Sequence, residues 1–473
     1  MPNQNSAVRT RVPRLLPLAA CLAAILGVSV SHAASGVEPA HARNAHPMSG
    51  GGRGPKPTPQ SHTVNTCVDD LSQNSLRTLV ATAGEGEIID LAHLPMGCSK
   101  ITLDSTHVPP YIKVSQNKLY FEGPGKDLLT IDGNFQSSVL RHIGNDSLHV
   151  TGLTIANGKH VSDTDPKGGC ISSIKHVILT DSTVTGCTLE ATGTSTARGG
   201  GVYAGGYLTM KGSSVTNNTI SSLASATAGG GGVAAQHIDL DRSTVASNTI
   251  TANGAAYGGG AWLLGSYAHI LSSTIANNAA YFGGGLYAFA FGYADVKIEN
   301  STISGNRAIR LAGVVGPYGM HIDNTTIAFN MEAQPTGAGG VYAGGTLTLN
   351  SSIIADNRGV NGRSDLGGSD FASFSGDHNL VTSVRFGLSP PMNTISSCPH
   401  LLPLTDNGGP TFTHDLMHDS PAIDVGSNPH SLMLDQTQGP RTLGANIDIG
   451  SIEWNGSVDD RIAIDGFDGL CDQ

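Results

Sequence analysis

Apolar residues return along this chain at a nearly fixed interval. Val184, Val215, Val245, Ile275, Ile303, Ile327 and Ile354 each close a Ser-Thr-Val-like step, and they stand 31, 30, 30, 28, 24 and 27 residues apart. Five residues before these anchors lie Leu179, Met210, Leu240, Ile270, Ile298, Ile322 and Leu349. Seven before lie Val177, Leu208, Ile238, Ala268, Val296, Met320 and Leu347. Apolar residues two apart, with polar ones between, mark strands that bury one face. A Ser/Thr column (Ser182, Ser213, Ser243, Ser273, Ser301, Thr325, Ser352) precedes each anchor by two positions. Three positions after the last six anchors stands an asparagine: Asn218, Asn248, Asn278, Asn306, Asn330 and Asn357. These six are assigned a structural role. Most repeats also carry a glycine cluster followed by a bulky residue, as at Gly199–Tyr203, Gly258–Trp262, Gly283–Tyr287 and Gly339–Tyr342.

A period of this length denotes a solenoid, a propeller or an array. The LxxLxL pattern of leucine-rich repeats is absent, and a propeller blade needs about 40–45 residues and four strands. Short strands punctuated by Gly and Asn fit an all-β fold, a right-handed parallel β-helix whose coils stack about 4.8 Å apart. Stacked coils turn each repeated position into a column, so the asparagines are expected to form a hydrogen-bonded ladder. Counting one coil anchored at Ile155, about eight or more coils are expected, roughly 38 Å of stack. They are flanked by an N-terminal cap and a C-terminal β module.

Composition agrees. With 62 Gly in 473 residues and only 13% charged residues, neither a coiled coil nor a helical bundle fits. Arg9, Arg11 and Arg14 precede an apolar run from Leu15 to Val30 and the small-x-small step Ser31-His32-Ala33, the layout of a secretory signal over 1–33. The competing reading is a lipoprotein acylated at Cys21. Cleavage makes the formal charge of −11 more negative by three, which argues against nucleic acid as a partner. No later stretch is long and apolar enough to span a membrane. Removal of the leader leaves six cysteines, Cys67, Cys98, Cys170, Cys187, Cys398 and Cys471. An even count in an exported chain suggests disulfides, and nearest-neighbour pairing gives Cys67–Cys98, Cys170–Cys187 and Cys398–Cys471 among 15 possibilities. Residues 34–62 read as a disordered Pro/Gly/His-rich linker, 63–140 as cap and first coils, 141–380 as helix repeats, 381–456 as the C-terminal module and 457–473 as an acidic tail.

Particular stretches carry a family resemblance. GLTIANG (Gly152–Gly158), the Gly-Gly-Gly turns and the STIxxN steps resemble the β-helix of bacterial surface proteins, polymorphic outer-membrane proteins among them. Leu76-Arg77 and LTIDGN (Leu129–Asn134) resemble the start of the same secreted family. PLTDNGGPTFTHDL (Pro403–Leu416), DSPAIDVG (Asp419–Gly426) and Asp435–Glu453 resemble the C-terminal module of the choice-of-anchor Q proteins. The resemblance implies export and a β-helix, and it brings no general biochemical activity with it. Neither an LPxTG-like motif nor a terminal apolar helix follows the module.

Candidate chemistry lies at the outward strand positions, six and four before each anchor. There stand Asp239 and Asp241, His269 and Leu271, Lys297 and Glu299, His321 and Asp323, then Thr348 and Asn350. On stacked coils Glu299 and Asp323 become adjacent carboxylates. With Lys297 and His321 they are the candidate catalytic residues, and Asp239, Asp241, Glu299 and Asp323 are candidate ligands for Ca²⁺, the one cofactor contemplated. The plain alternative is a solvated face with cross-strand charge pairing. No GxSxG elbow, P-loop or Cys/His zinc spacing occurs. The sequence therefore reads as an exported or cell-surface β-helix with a structural, adhesive or glycan-binding role and no catalysis. Its partner would be a polysaccharide or another cell-surface ligand. The alternative is a secreted polysaccharide lyase or glycoside hydrolase working on this outward face.

Overall fold

The computed structural model describes residues 59–456 apart from 223–225, 289–292, 317, 336–337 and 386. The expected signal segment, Cys21, most of the linker, the acidic tail and Cys471 lie outside the described residues. The rest is a parallel β-solenoid of about eleven turns, built from sheets of 19, 12 and 11 strands, the second of which begins only at Lys159. The 11-stranded sheet passes from Lys100–Thr102 to Leu380–Val381 in chain order, one strand per coil. Two coils therefore precede the eight counted from Ile155 onward, and one follows them. The early strands pair in register, Ile101 with Ile131 and Ile112 with Leu140. The short helix Leu76–Thr82, capped by the Ser75 side chain on the Thr78 amide, turns Leu76, Leu79 and Val80 into the N-terminal end of the core.

The columns follow from the register. Each anchor pairs with the next, Val215 with Val245, Val245 with Ile275 and onward, and the anchors are fully buried. The apolar pairs five and seven residues earlier, such as Leu208 and Met210 or Val296 and Ile298, fill the same core. Between the second and third sheets the asparagines form a continuous buried ladder. Asn218, Asn248, Asn278, Asn306 and Asn330 each donate from Nδ2 to Oδ1 of the next asparagine at 2.8–2.9 Å, 3.0 Å for Asn278. The same Oδ1 also accepts the backbone N–H of the preceding asparagine, so each side chain replaces a backbone partner where the chain turns. Cys187 occupies the ladder position of the coil that lacks an asparagine, donating its N–H to Asn218 and closing a disulfide with Cys170. At the far end Asp365 accepts from Asn357 at 3.0 Å.

The glycine clusters are fitted to this ladder. A Cβ at Gly260 would lie 2.8 Å from both Asn278 Nδ2 and the Gly285 carbonyl, and Gly258 takes φ +62° at the turn itself. We expect Gly260→Ala to lower stability by about 1–3 kcal/mol through overpacking, read from its thermal midpoint against wild type. An unchanged midpoint would show that the ladder can shift to admit the methyl.

Cys67–Cys98 also forms, with Cα atoms 5.8 Å apart, while the third expected pair involves Cys471, outside the described residues. Beyond residue 381 the described chain makes isolated bridges (Leu401 with Leu416, Thr405 with Thr413, Leu434 with Pro440) and no sheet of its own. It lies along the outer face of the third sheet and bonds to it through side chains. Thr274 donates to the Phe412 carbonyl, Thr302 to Gln436 Oε1, and the Ser451 amide to Thr326. Thr274, Thr302 and Thr326 are buried in consequence, although they point away from the core. No helix of the described residues is long and apolar enough to cross a membrane.

Candidate functional site

The outward residues of the first sheet form three parallel columns. One runs Thr209, Asp239, His269, Lys297, His321, Thr348, and the next runs Lys211, Asp241, Leu271, Glu299, Asp323, Asn350. A third, two residues earlier on each strand, holds His176, Tyr207, His237 and Tyr267 before reaching Asp295. These rings form a ladder, with centroids 5.3 Å apart for His176–Tyr207, 4.4 Å for Tyr207–His237 and 6.5 Å for His237–Tyr267. Tyr207 is 47% exposed, so the ladder presents ring surface to solvent. Its last ring feels the acids beside it. Burial, then Asp239, Asp295 and Glu299, raise the Tyr267 hydroxyl above its usual value.

Where the ladder ends, a carboxylate and imidazole centre begins. His269 bonds Glu299 through Nε2 at 2.8 Å, one coil along and one column across, while its Nδ1 lies 3.8 Å from Asp239. His430 reaches in from the C-terminal segment. Its Nδ1 contacts Glu299 Oε1 and lies 3.7 Å from Asp323 Oδ2. Asn350 holds the other Asp323 oxygen at 2.7 Å. Glu299, Asp323 and His430 thus offer three donor atoms within 4.8 Å of one another.

The two carboxyls sit in opposed environments. The hydrogen bond from His269, with the charges of both imidazoles, holds Glu299 below the ordinary carboxylate range, and the same bond raises His269. Asp323 has a side chain only 1% exposed, and burial dominates in pushing it up, reinforced by the charge of Glu299. The reading of a wholly solvated face fails at this position. Its cover comes from the segment that carries His430, which Asn324 and Asn300 anchor by donating to the Ser427 and Leu434 carbonyls.

The remaining candidates stand apart from this centre. Lys297 Nζ faces Asp295 at 3.7 Å, and Asp241 is held by its neighbour Arg242 through two bonds of 3.0–3.1 Å. His321 lies in the Lys297 column beside Thr348. Asp239 meets the centre only through His269. Sequence reasoning missed His430 altogether, since it belongs to no repeat. The aromatic column was readable, because Tyr207, His237 and Tyr267 each immediately precede the apolar residue seven before an anchor.

No curated protein matches the sequence. Among solved structures, the crystal structure of pectate lyase Pel9A aligns with 84% of this chain and 96% of that chain, at 14% identity and a TM-score of 0.41. Residues 130–333 match the family model described as the right-handed beta helix region, and these are the coils that carry the ladder, Glu299 and Asp323.

Proposed function

We propose that the protein is an exported or cell-surface β-helix that binds glycan along the outward face of its first sheet, without cleaving it. The observation that carries this reading is the ladder His176–Tyr207–His237–Tyr267, a run of rings with Tyr207 exposed and the others half-buried, beside the polar columns. Flat rings offer the apolar faces of sugars large area at little conformational cost, and the Thr209–Asp239–His269 column beside them supplies hydrogen-bond partners. Export is supported by the basic and apolar leader together with two disulfides, bonds that persist in oxidising compartments.

One observation favours the enzymatic alternative. Glu299 held ionised beside Asp323 pushed up is the kind of split that supplies a base and an acid. Access opposes it, because a carboxyl 1% exposed cannot reach a glycosidic oxygen while the His430 segment stays in place. A glycan array tests the primary reading. A positive glycan should bind roughly tenfold more weakly to Tyr207→Ala, the ~1.4 kcal/mol within reach of one stacked ring. A blank array would sink the binding reading. Product release from uronic-acid polymers, with or without Ca²⁺, that disappears in Glu299→Ala would replace it with the enzymatic one.

A further inference from the structure

The geometry points to a divalent transition-metal site of the zinc class at Glu299, Asp323 and His430, clasping the C-terminal segment to the helix. Three observations support it, independently of the glycan reading. The donors come from three stretches of chain, two successive coils and the loop around His430, and they converge within 4.8 Å. The outer oxygen of each carboxylate is already fixed, Glu299 Oε2 by His269 and Asp323 Oδ2's partner oxygen, Oδ1, by Asn350. Metal-binding carboxylates are held in this way by outer partners. The inner oxygens, Glu299 Oε1 and Asp323 Oδ2, turn toward His430 Nδ1. Asp323 Oδ2 sits 3.7 Å from that nitrogen, too far for a hydrogen bond, on a side chain that is 1% exposed.

A buried carboxylate beside a second carboxylate is costly unless positive charge compensates both. A cation between the inner oxygens and Nδ1 would place positive charge between the two carboxylates. Beneath the same segment, Asn300 Oδ1 and Asn324 Oδ1 are buried without a hydrogen-bond partner. The donor set selects the metal. Ca²⁺ takes six to eight oxygens, whereas an imidazole nitrogen with two carboxylates suits Zn²⁺ and its neighbours at bonds of about 2.0–2.2 Å. The His430 side chain is 47% exposed, which leaves a solvent-side path for entry and room for a water ligand.

The test uses the full chain, stripped with chelator and titrated with Zn²⁺ alone, while hydrogen exchange is followed in residues 427–434. Local exchange separates this site from the histidines near the N-terminus, which also attract zinc. Zn²⁺ should slow exchange in that segment for wild type and leave it unchanged in His430→Ala. In Glu299→Gln the Zn²⁺ concentration giving half the protection should rise at least roughly tenfold, since even outer-shell partners cost about that much. Circular dichroism of both variants checks that the β-helix is intact. A segment whose exchange ignores Zn²⁺ in wild type, or responds equally in His430→Ala, would overturn the assignment.

Discussion

Replacing Asn278 with alanine should lower the thermal midpoint by at least about 5 °C or prevent recovery of folded protein. The side chain satisfies four groups that no water can reach. Its Oδ1 accepts the Asn248 backbone N–H and Asn248 Nδ2, both at 2.9 Å, and its Nδ2 donates to the Val245 carbonyl at 2.9 Å and to Asn306 Oδ1 at 3.0 Å. Each buried group left without a partner costs about 1–3 kcal/mol. The sum approaches the whole stability of an ordinary domain, about 5–15 kcal/mol. Because coils contact only their neighbours, a break in the middle also uncouples the two halves of the stack. Asn357→Ala should cost less, because beyond it the ladder ends in Asp365. Comparing the two midpoints by calorimetry checks the argument. Equal losses at both positions would mean that the ladder is a set of independent bonds.

The ladder was legible for the reason that it is stable. A position repeated coil after coil must satisfy the same neighbour each time, so its chemistry recurs at the coil spacing. Outward columns were legible by the same logic, and Asp239, His269, Lys297 and His321 do pair in register. Features made once per chain left no such trace. The first coils hold register before the asparagine ladder begins, with apolar pairs such as Leu119 and Leu148. Cys187 stands in the ladder column, and only the stack shows that its bond to Cys170 closes that column. Nothing at Thr274 or Thr302 announces burial, because their cover comes from residues 412 and 436. His430 is the clearest case, a single histidine in a loop more than a hundred residues beyond the carboxylates it meets.

That dependence on the C-terminal segment changes the meaning of the polar patch. Read on the repeats alone, Glu299 and Asp323 are two acids on a solvated strand face. With residues 427–434 laid beside them, Asp323 becomes a buried group at one end of the outward face. Whatever loosens this segment would uncover Asp323, so its docking governs which chemistry the face can offer.

Acid is expected to loosen residues 401–416, the part of the C-terminal segment that His414 holds. It is fully buried, accepting from the Ser304 hydroxyl through Nε2 at 2.8 Å and donating from Nδ1 to the Leu402 carbonyl at 2.7 Å. That network fixes the neutral tautomer, and burial pushes the imidazole down to about 4 from an ordinary 6.5. Between those values the undocked segment takes up a proton that the docked one refuses. Its contribution to docking is therefore complete above pH 6.5 and is lost progressively as pH falls toward 4. Over pH 7 to 4.5 the loss is roughly 2–3 kcal/mol, about a hundredfold in the opening equilibrium. Hydrogen exchange in residues 401–416, corrected for its intrinsic pH dependence, should report that increase in wild type. His414→Leu should dock less firmly at pH 7 but lose most of the pH dependence there. His149 and His160, also held near 4 by burial, lie in the early coils and should keep that end acid-sensitive in the variant. If the variant keeps the wild-type response in residues 401–416, the proton acts elsewhere and His414 is only a structural clamp.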